Sequence, residues 1–122
     1  MTNIFKDSKD FMVAIDQHEP NQAQFDLYVK LIDEEHSELH DAIEADDRVE
    51  QLDALVDILV VTAGAINSMG ADGEGAWNEV MRTNFAKVDP ETGKVRRRED
   101  GKVLKGPNWV PPNLEPFLSK LK

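Results

Sequence analysis

Acidic side chains recur at helical spacing in two neighbouring stretches of the chain. The first group is Glu34, Glu35 and Glu38, and the second is Glu50, Asp53 and Asp57. Steps of three and four residues return to nearly the same side of an α-helix, so each stretch presents carboxylates on one face. If the two helices are antiparallel and face one another, Glu35, Glu38, Asp53 and Asp57 meet around one point. Asp57 stands between Val56 and Ile58, and a carboxylate facing a core needs a cation, a hydrogen bond or a raised pKa.

Carboxylate oxygens favour a hard cation over zinc. Mg²⁺ takes oxygen ligands and keeps room for water and substrate phosphates, so we predict Mg²⁺ here, with Mn²⁺ as a substitute. The chain has no cysteine, which excludes disulfides, thiolate zinc sites, thiol nucleophiles and iron-sulfur clusters. His36 and His40 are four residues apart and could share a metal, but no third ligand is evident, which favours a solvent-exposed pair.

Four helices are expected to position these residues. Hydrophobic periodicity, caps and breakers predict helices over Asn3 to His18, about Asn21 to Ala45, Arg48 to Met69 and Glu74 to Phe85. Beyond Asp89-Pro90 the chain is loop-like, with a small hairpin around Glu99-Asp-Gly101. We therefore predict an all-α fold of four to five helices, with an irregular C-terminal tail.

The second half of the third helix is apolar on nearly every side, which is typical of a helix surrounded by others. Ala63, Gly64 and Ala65 are small enough for a close helix contact, within a bundle or a dimer. In so short a chain, this pattern predicts a helical bundle that is completed by oligomerisation.

Length and charge limit the remaining possibilities. With 122 residues, the chain fits one domain, 1–122, with a helical body over 1–88 and a basic tail over 89–122. Residues 1–80 hold 19 acids and 4 bases, net −15, while residues 81–122 hold 5 acids and 10 bases, net +5. A net charge of −10 argues against nucleic acid as a partner. We also expect no membrane association, no targeting signal and a cytoplasmic location.

Two segments resemble a known family. EEHSEL at 34–39 and DALVDILVVTAGAINSMG at 53–70 are similar to the all-α nucleoside triphosphate pyrophosphohydrolases, which include MazG-like enzymes, phosphoribosyl-ATP pyrophosphohydrolases and dimeric dUTPases. The family signature is EExxE on one helix and ExxD on the next. Glu34, Glu35 and Glu38 match the first half. Glu50 and Asp53 form a literal ExxD, yet the apolar run begins only after Asp57, so Glu50 and Asp57 remain alternatives as the ligand alongside Asp53.

The tail extends this resemblance. RTNFAKVDPETGKVRRREDGKVLKGPNWVPPNL at 82–114 resembles the phosphoribosyl-ATP pyrophosphohydrolase-like subgroup common among phage and bacterial proteins. The resemblance implies a homodimer or dimer of dimers, Mg²⁺, and hydrolysis of a nucleoside triphosphate to monophosphate and pyrophosphate. By analogy, Glu35, Glu38, Asp53 and Asp57 hold the metal, and Glu34 or Glu38 activates the attacking water.

Positive charge for the phosphates is expected from the fourth helix and the tail. Candidates are Asn84 and Lys87, which share a helical edge, and Arg82, Lys102 and Lys105. Lys87 also fits a helix C-terminal cation, and Lys102 and Lys105 fit ion pairs to the acidic body. For Trp109 we favour packing of the tail over stacking on a base, and we place Trp77 and Phe85 in the core.

Two alternatives remain open from the sequence. One keeps the chemistry but takes phosphoribosyl-ATP as substrate, in histidine biosynthesis. The other is a non-catalytic acidic interaction module, which predicts acids spread around the helices without a preferred face.

Overall fold

The computed structural model describes residues 3–118 and confirms the all-α fold. Four helices follow in chain order: α1 (Ile4–Ala14), α2 (Gln22–Glu44), α3 (Arg48–Ser68) and α4 (Gly73–Phe85), with a 3₁₀ turn at Glu115–Phe117. The described part of the chain contains no strand beyond two isolated antiparallel bridges, Val88 to Val95 and Arg97 to Val103. The second bridge forms the hairpin that was predicted around Glu99-Asp-Gly101.

The helix ends follow the capping chemistry that the sequence offers. The side chain of Asn21 accepts the amide of Gln24 at the start of α2, and Asp47 accepts the amide of Glu50 at the start of α3. The sequence predicts that the first helix extends to His18, but α1 ends at Ala14. Asp16 adopts a positive φ of 59°, and the amide of Gln17 turns back to the carbonyl of Met12, which stops the helix there.

The described residues divide into two compact units: the first comprises residues 3–73 and 118, and the second comprises residues 74–117. In the first unit, Met12, Tyr28 and Ala65 form the buried core. Gly64 on α3 permits this packing, because a Cβ at that position would overlap the ring of Tyr28 on α2. The close contact predicted from the small residues of α3 is therefore confirmed as an α2–α3 contact within one chain.

A buried polar network ties the α1–α2 loop to the end of α3. The Gln24 side-chain amide donates to the carbonyl of Gln17 and to Oγ of Ser68, both at 2.8 Å. Ser68, which is fully buried, donates to the carbonyl of Gly64 at 2.8 Å, and its own carbonyl accepts the amide of Asn21. These bonds satisfy polar groups that would otherwise be costly to bury.

Several apolar side chains lie at the surface, contrary to one of our predictions. The last turns of α3 are buried at Ala63 to Ala65, Asn67 and Ser68, but Leu59 and Val60 remain about half exposed, so a single chain covers the end of this helix and not its middle. Trp77 and Phe85 are 53% and 67% exposed, so the prediction that they are core residues is wrong. Helical spacing identified a common face, but spacing alone does not say whether another element covers it.

In the second unit, the tail is anchored to α4 at two points. The indole N–H of Trp109 donates to the carbonyl of Thr83 at 2.7 Å, in the last turn of the helix, where carbonyls have no helical partner. The Glu79 carboxylate accepts two bonds from Arg82, at 2.7 and 3.1 Å, and the amide of Asn113 at 2.8 Å. Trp109 thus serves as the predicted packing anchor of the tail.

No single helix within residues 3–118 is long and apolar enough to span a membrane, although α3 and α4 reach that length and composition when taken together.

Candidate active site

Helices α2 and α3 form an antiparallel hairpin through a tight turn at Ala45 to Asp47. Asp46 in this turn has a positive φ of 52°. The two helices pack against each other along much of their length, and this packing determines which side chains face the partner helix. This arrangement brings carboxyl groups from the middle of α2 close to those from the first half of α3.

Glu35 has the most perturbed environment of the acidic residues. Its Oε2 atom is buried and has no hydrogen-bond partner. Burial raises its pKa most, followed by a hydrogen bond and charge repulsion from Glu38, and then by the charges of Asp57 and Asp53; together they raise the pKa of Glu35 to about 7. A carboxyl group with such a pKa is partly protonated at neutral pH.

Asp57 shares this environment from the α3 side. Burial is the main cause that raises its pKa, and the negative charges of Asp53 and Glu38 add to it. Asp57 is half-buried, whereas Asp53 and Glu38 are exposed. The four carboxyl groups thus influence one another, and their mutual repulsion disfavours full ionisation unless a cation is present.

The side-chain oxygens of this cluster are the type of ligand that a hard divalent cation prefers. All are carboxylate oxygens, and one of them is buried without a partner. Within residues 3–118, however, no three His, Asp or Glu side chains converge closely enough to hold one ion as they stand. Joint ligation therefore requires side-chain rotation, which is open to the exposed Glu38 and Asp53.

Glu34 and Glu50 lie outside this cluster. Both are exposed, and neither is among the groups that raise the pKa of Glu35 or Asp57. Glu50 occupies the first turn of α3. The structure therefore places Asp57, rather than Glu50, beside Asp53 and the α2 carboxylates.

Three of the four predicted phosphate-binding residues gather around Trp109 in the second unit. Nζ of Lys87 donates to Oδ1 of Asn84 at 3.1 Å and lies 5.6 Å from the centre of the Trp109 ring. Nζ of Lys105 lies 4.4 Å from the same ring centre. Lys102 is exposed and belongs to the hairpin, where its amide binds the side chain of Asp100.

Two charged residues of this unit were missed by sequence reasoning. Glu79 holds Arg82 in a two-point ion pair, a contact that the spacing of three residues could have suggested. Arg96 lines a cavity of about 470 Å³ together with Lys87 and Trp109. Its guanidinium makes no ion pair or hydrogen bond to another described residue, and nothing in the run Arg96 to Arg98 distinguishes it from its neighbours.

The amino-acid sequence matches the model of a known enzyme family. The family model for phosphoribosyl-ATP pyrophosphohydrolase matches residues 5–84, which is more than half of the chain. The chain belongs to the phosphoribosyl-ATP pyrophosphohydrolase family. A search of curated proteins gives no significant match.

Membership of this family establishes the class of reaction. The family belongs to the MazG-like all-α superfamily, and its members are hydrolases that act on phosphoric anhydrides of nucleotides. The chain is therefore a pyrophosphohydrolase of the MazG-like kind. The matched range covers both acidic helices and Asn84, and it ends before Lys87 and the tail.

Proposed function

We propose that this protein hydrolyses a nucleoside triphosphate, ribo- or deoxyribo-, to the monophosphate and pyrophosphate in a Mg²⁺-dependent reaction. The observation that supports this proposal is the carboxylate cluster between α2 and α3, with its buried, partnerless oxygen on Glu35. A cluster of carboxylates repels a free triphosphate. It suits a triphosphate that arrives with divalent cations between the two sets of negative charge.

The metal is assigned to Glu35, Glu38, Asp53 and Asp57. When bound, Mg²⁺ supplies positive charge for the phosphate oxygens and for the leaving pyrophosphate. The protein contributes the fixed spacing of α2 and α3, and a buried position at Glu35 that is costly to leave ionised and unpaired. Occupation by a cation removes that cost, so the cluster favours binding of Mg²⁺ or Mn²⁺.

A carboxylate is proposed to activate the attacking water. The water oxygen forms a bond to phosphorus, the bridge between the α- and β-phosphates breaks, and the bridging oxygen leaves with pyrophosphate. The water proton passes to Glu34 or Glu38. Glu38 stands within the cluster, while Glu34 is exposed and lies outside it. A carboxylate whose oxygens bind metal is a poorer base. Glu38 is assigned to the metal and Glu34 is not, so Glu34 is the second candidate for the base.

Asn84, Lys87, Lys102 and Lys105 are proposed to bind the outer phosphates. Lys87 and Lys105 are both held near Trp109, which limits their conformational freedom before substrate arrives. The Lys102 side chain is exposed, and its ammonium group makes no ion pair or hydrogen bond to another described residue.

A second candidate substrate is phosphoribosyl-ATP. The matching family model carries that name, and the chemistry at the anhydride is the same. We favour a simple nucleoside triphosphate because the tail over 82–114 resembles the phage-type subgroup.

The test is pyrophosphate release from a panel of ribo- and deoxyribonucleoside triphosphates and phosphoribosyl-ATP, with Mg²⁺ or with chelator. We expect metal-dependent release of pyrophosphate and monophosphate from one or a few triphosphates. Turnover of phosphoribosyl-ATP alone would support the second candidate, and silence across the panel from a folded protein would overturn both.

We further propose that the protein is a homodimer or a dimer of dimers. An apolar cavity of about 600 Å³ opens between α1, α2 and α3, with Phe11, Leu27 and Leu59 among its exposed walls. Exposed apolar patches of this kind mark association surfaces. Light scattering that showed a stable monomer at high concentration would contradict the proposal.

A further inference from the structure

His36 and His40 form a pair on the exposed side of α2 that the proposed function does not use. Their Nε2 atoms are 3.3 Å apart, and their ring centres are separated by 4.6 Å with the planes at 74°. Both side chains are exposed, and they are two of the three histidines in the protein. The helix thus brings two imidazole nitrogens together without burying either.

The distance between these nitrogens fits a shared tetrahedral metal ion. Zinc binds histidine nitrogen at about 2.0–2.1 Å, and two nitrogens 3.3 Å apart would then subtend about 104–111° at the ion, against about 109° for a tetrahedron. Two histidines four residues apart on a helix face can bind one zinc in this way. Little side-chain movement is therefore needed for both to reach the same ion.

We propose that His36 and His40 are a two-imidazole binding site for Zn²⁺ or a related late transition metal, such as Ni²⁺ or Cu²⁺, separate from the carboxylate cluster. Imidazole nitrogen suits these ions, whereas carboxylate oxygen suits Mg²⁺, so the two sites differ in the metals they select. No third His, Asp or Glu converges on the pair within residues 3–118, so water completes the coordination.

Neutral histidines could instead share an N–H···N hydrogen bond at this distance. Metal binding requires both rings to carry their proton on Nδ1, which frees both Nε2 lone pairs. The excess of acids over bases in residues 1–80 favours the metal, because it attracts cations to this surface. A bound ion would also link the two turns of α2 on either side of Glu38 and hold them in helical conformation.

The experiment is calorimetric titration of the full-length protein with zinc chloride, in the presence of excess Mg²⁺ to occupy the carboxylates. Variants are His36→Gln and His40→Gln, with His18→Gln as the matched control because His18 lies in the α1–α2 loop. All three positions are exposed, and circular dichroism verifies the fold. We expect one zinc site in the wild type and in H18Q, with affinity reduced at least tenfold in H36Q and in H40Q.

Two outcomes overturn the proposal. One is zinc affinity in H36Q and H40Q equal to that of the wild type. The other is loss of zinc binding in Asp57→Asn together with retention in H36Q, which would place the zinc on the carboxylates. The proposal does not depend on hydrolytic activity, so a catalytically silent D57N protein that still binds one zinc ion would support it.

Discussion

Glu35 carries the greatest electrostatic cost among the acidic residues of α2. Its carboxyl group combines a buried oxygen, a neighbouring carboxyl on the same helix and two more acids across the hairpin. No basic side chain in the described part of the chain forms an ion pair with Glu35, since the ion pairs there involve Lys6, His18, Arg82 and Arg98. Such unfavourable local electrostatics are typical of functional sites, where a ligand supplies the missing charge.

The metal-free protein should lose stability as the pH rises through the pKa of Glu35. Between about pH 4.5 and pH 7 the folded chain keeps the Glu35 proton, whereas the unfolded chain releases it, so the free energy of unfolding falls across this window. The raised pKa of Asp57 acts in the same direction. Urea denaturation with chelator at a series of pH values measures the slope. Glu35→Gln should reduce the dependence of the free energy of unfolding on pH, and Glu44→Gln, at an exposed position, should leave it unchanged.

Asp57→Asn should abolish Mg²⁺-dependent hydrolysis while the helical circular dichroism stays near that of the wild type. The change is nearly isosteric and removes a half-buried negative charge, so folding is preserved while metal binding is lost. We expect activity to fall by more than about 100-fold. Asp41→Asn on the exposed side of α2 is the matched control. Retention of activity in D57N would remove Asp57 from the site.

At this scale, the sequence predicts which faces carry acids but not which acids meet. The repeat of three and four residues placed Glu35 and Glu38 on one face, because that follows from helix geometry alone. Glu50 and Asp57 are seven residues apart and lie on nearly the same face of α3, so the choice between them depends on the position of α3 along its axis against α2, which contacts such as Tyr28 on Gly64 determine. The sequence did not distinguish Arg96 from its neighbours, whereas the spacing of four residues already placed His36 and His40 on one side of α2.

At the scale of whole elements, local signals predicted the α2–α3 hairpin well. Asn21, Asp47 and Gly70 flank these two helices, and each provides a recognised start or stop signal. The end of α1 was misplaced by several residues, because the left-handed conformation of Asp16 is not favoured by residue type alone. Local chemistry therefore predicts helix boundaries where a capping side chain is present.

Gly64→Ala should destabilise the fold, although alanine is the better helix former. At an exposed site this change would stabilise a helix by about 1 kcal/mol. Here the added methyl group meets the ring of Tyr28, and overpacking of this kind costs about 1–3 kcal/mol. Thermal or urea unfolding measures the difference. In the double variant G64A with Tyr28→Leu, the loss of stability should be smaller than the sum of the losses in the two single variants. A loss equal to that sum would show that the ring is not the cause.

Trp109→Phe should loosen the tail from the end of α4. The substitution keeps an aromatic ring but removes the indole donor to the carbonyl of Thr83, a bond worth about 1 kcal/mol. Faster proteolysis of residues beyond Phe85 is the expected result. Trp77→Phe is the matched control, since Trp77 is 53% exposed and donates no recorded bond. Equal proteolysis rates in the two variants would contradict the anchoring role.

At the scale of the whole molecule, a single chain leaves much apolar surface exposed along α3. Few large side chains are fully buried, while Val49, Leu52, Leu55, Val56, Leu59 and Val60 along α3 are all substantially exposed. Of these, Val56, Leu59 and Val60 line the apolar cavity between α1, α2 and α3, beside Tyr28. The proposed homodimer would cover this surface with a second copy of the chain.

Leu59→Glu or Val60→Glu should shift the protein from an assembly toward the monomer. Each change introduces a charge into the apolar cavity that α1, α2 and α3 enclose, and burying it against a partner is costly. Light scattering across a dilution series reports the change in mass. Val110→Glu, at an exposed tail position outside this cavity, is the control. Assembly that is unaffected by L59E and V60E would direct the search to another surface.

The approach of Tyr28 to Gly64 also has an evolutionary consequence. A larger residue at position 64 can be accepted only where position 28 has already become smaller, so the two sites are expected to change as a pair across related lineages. The order of those changes is constrained as well: the ring must shrink first, because the reverse order passes through a clashing intermediate. In ancestral reconstructions, the smaller residue at position 28 should therefore appear before the larger residue at position 64.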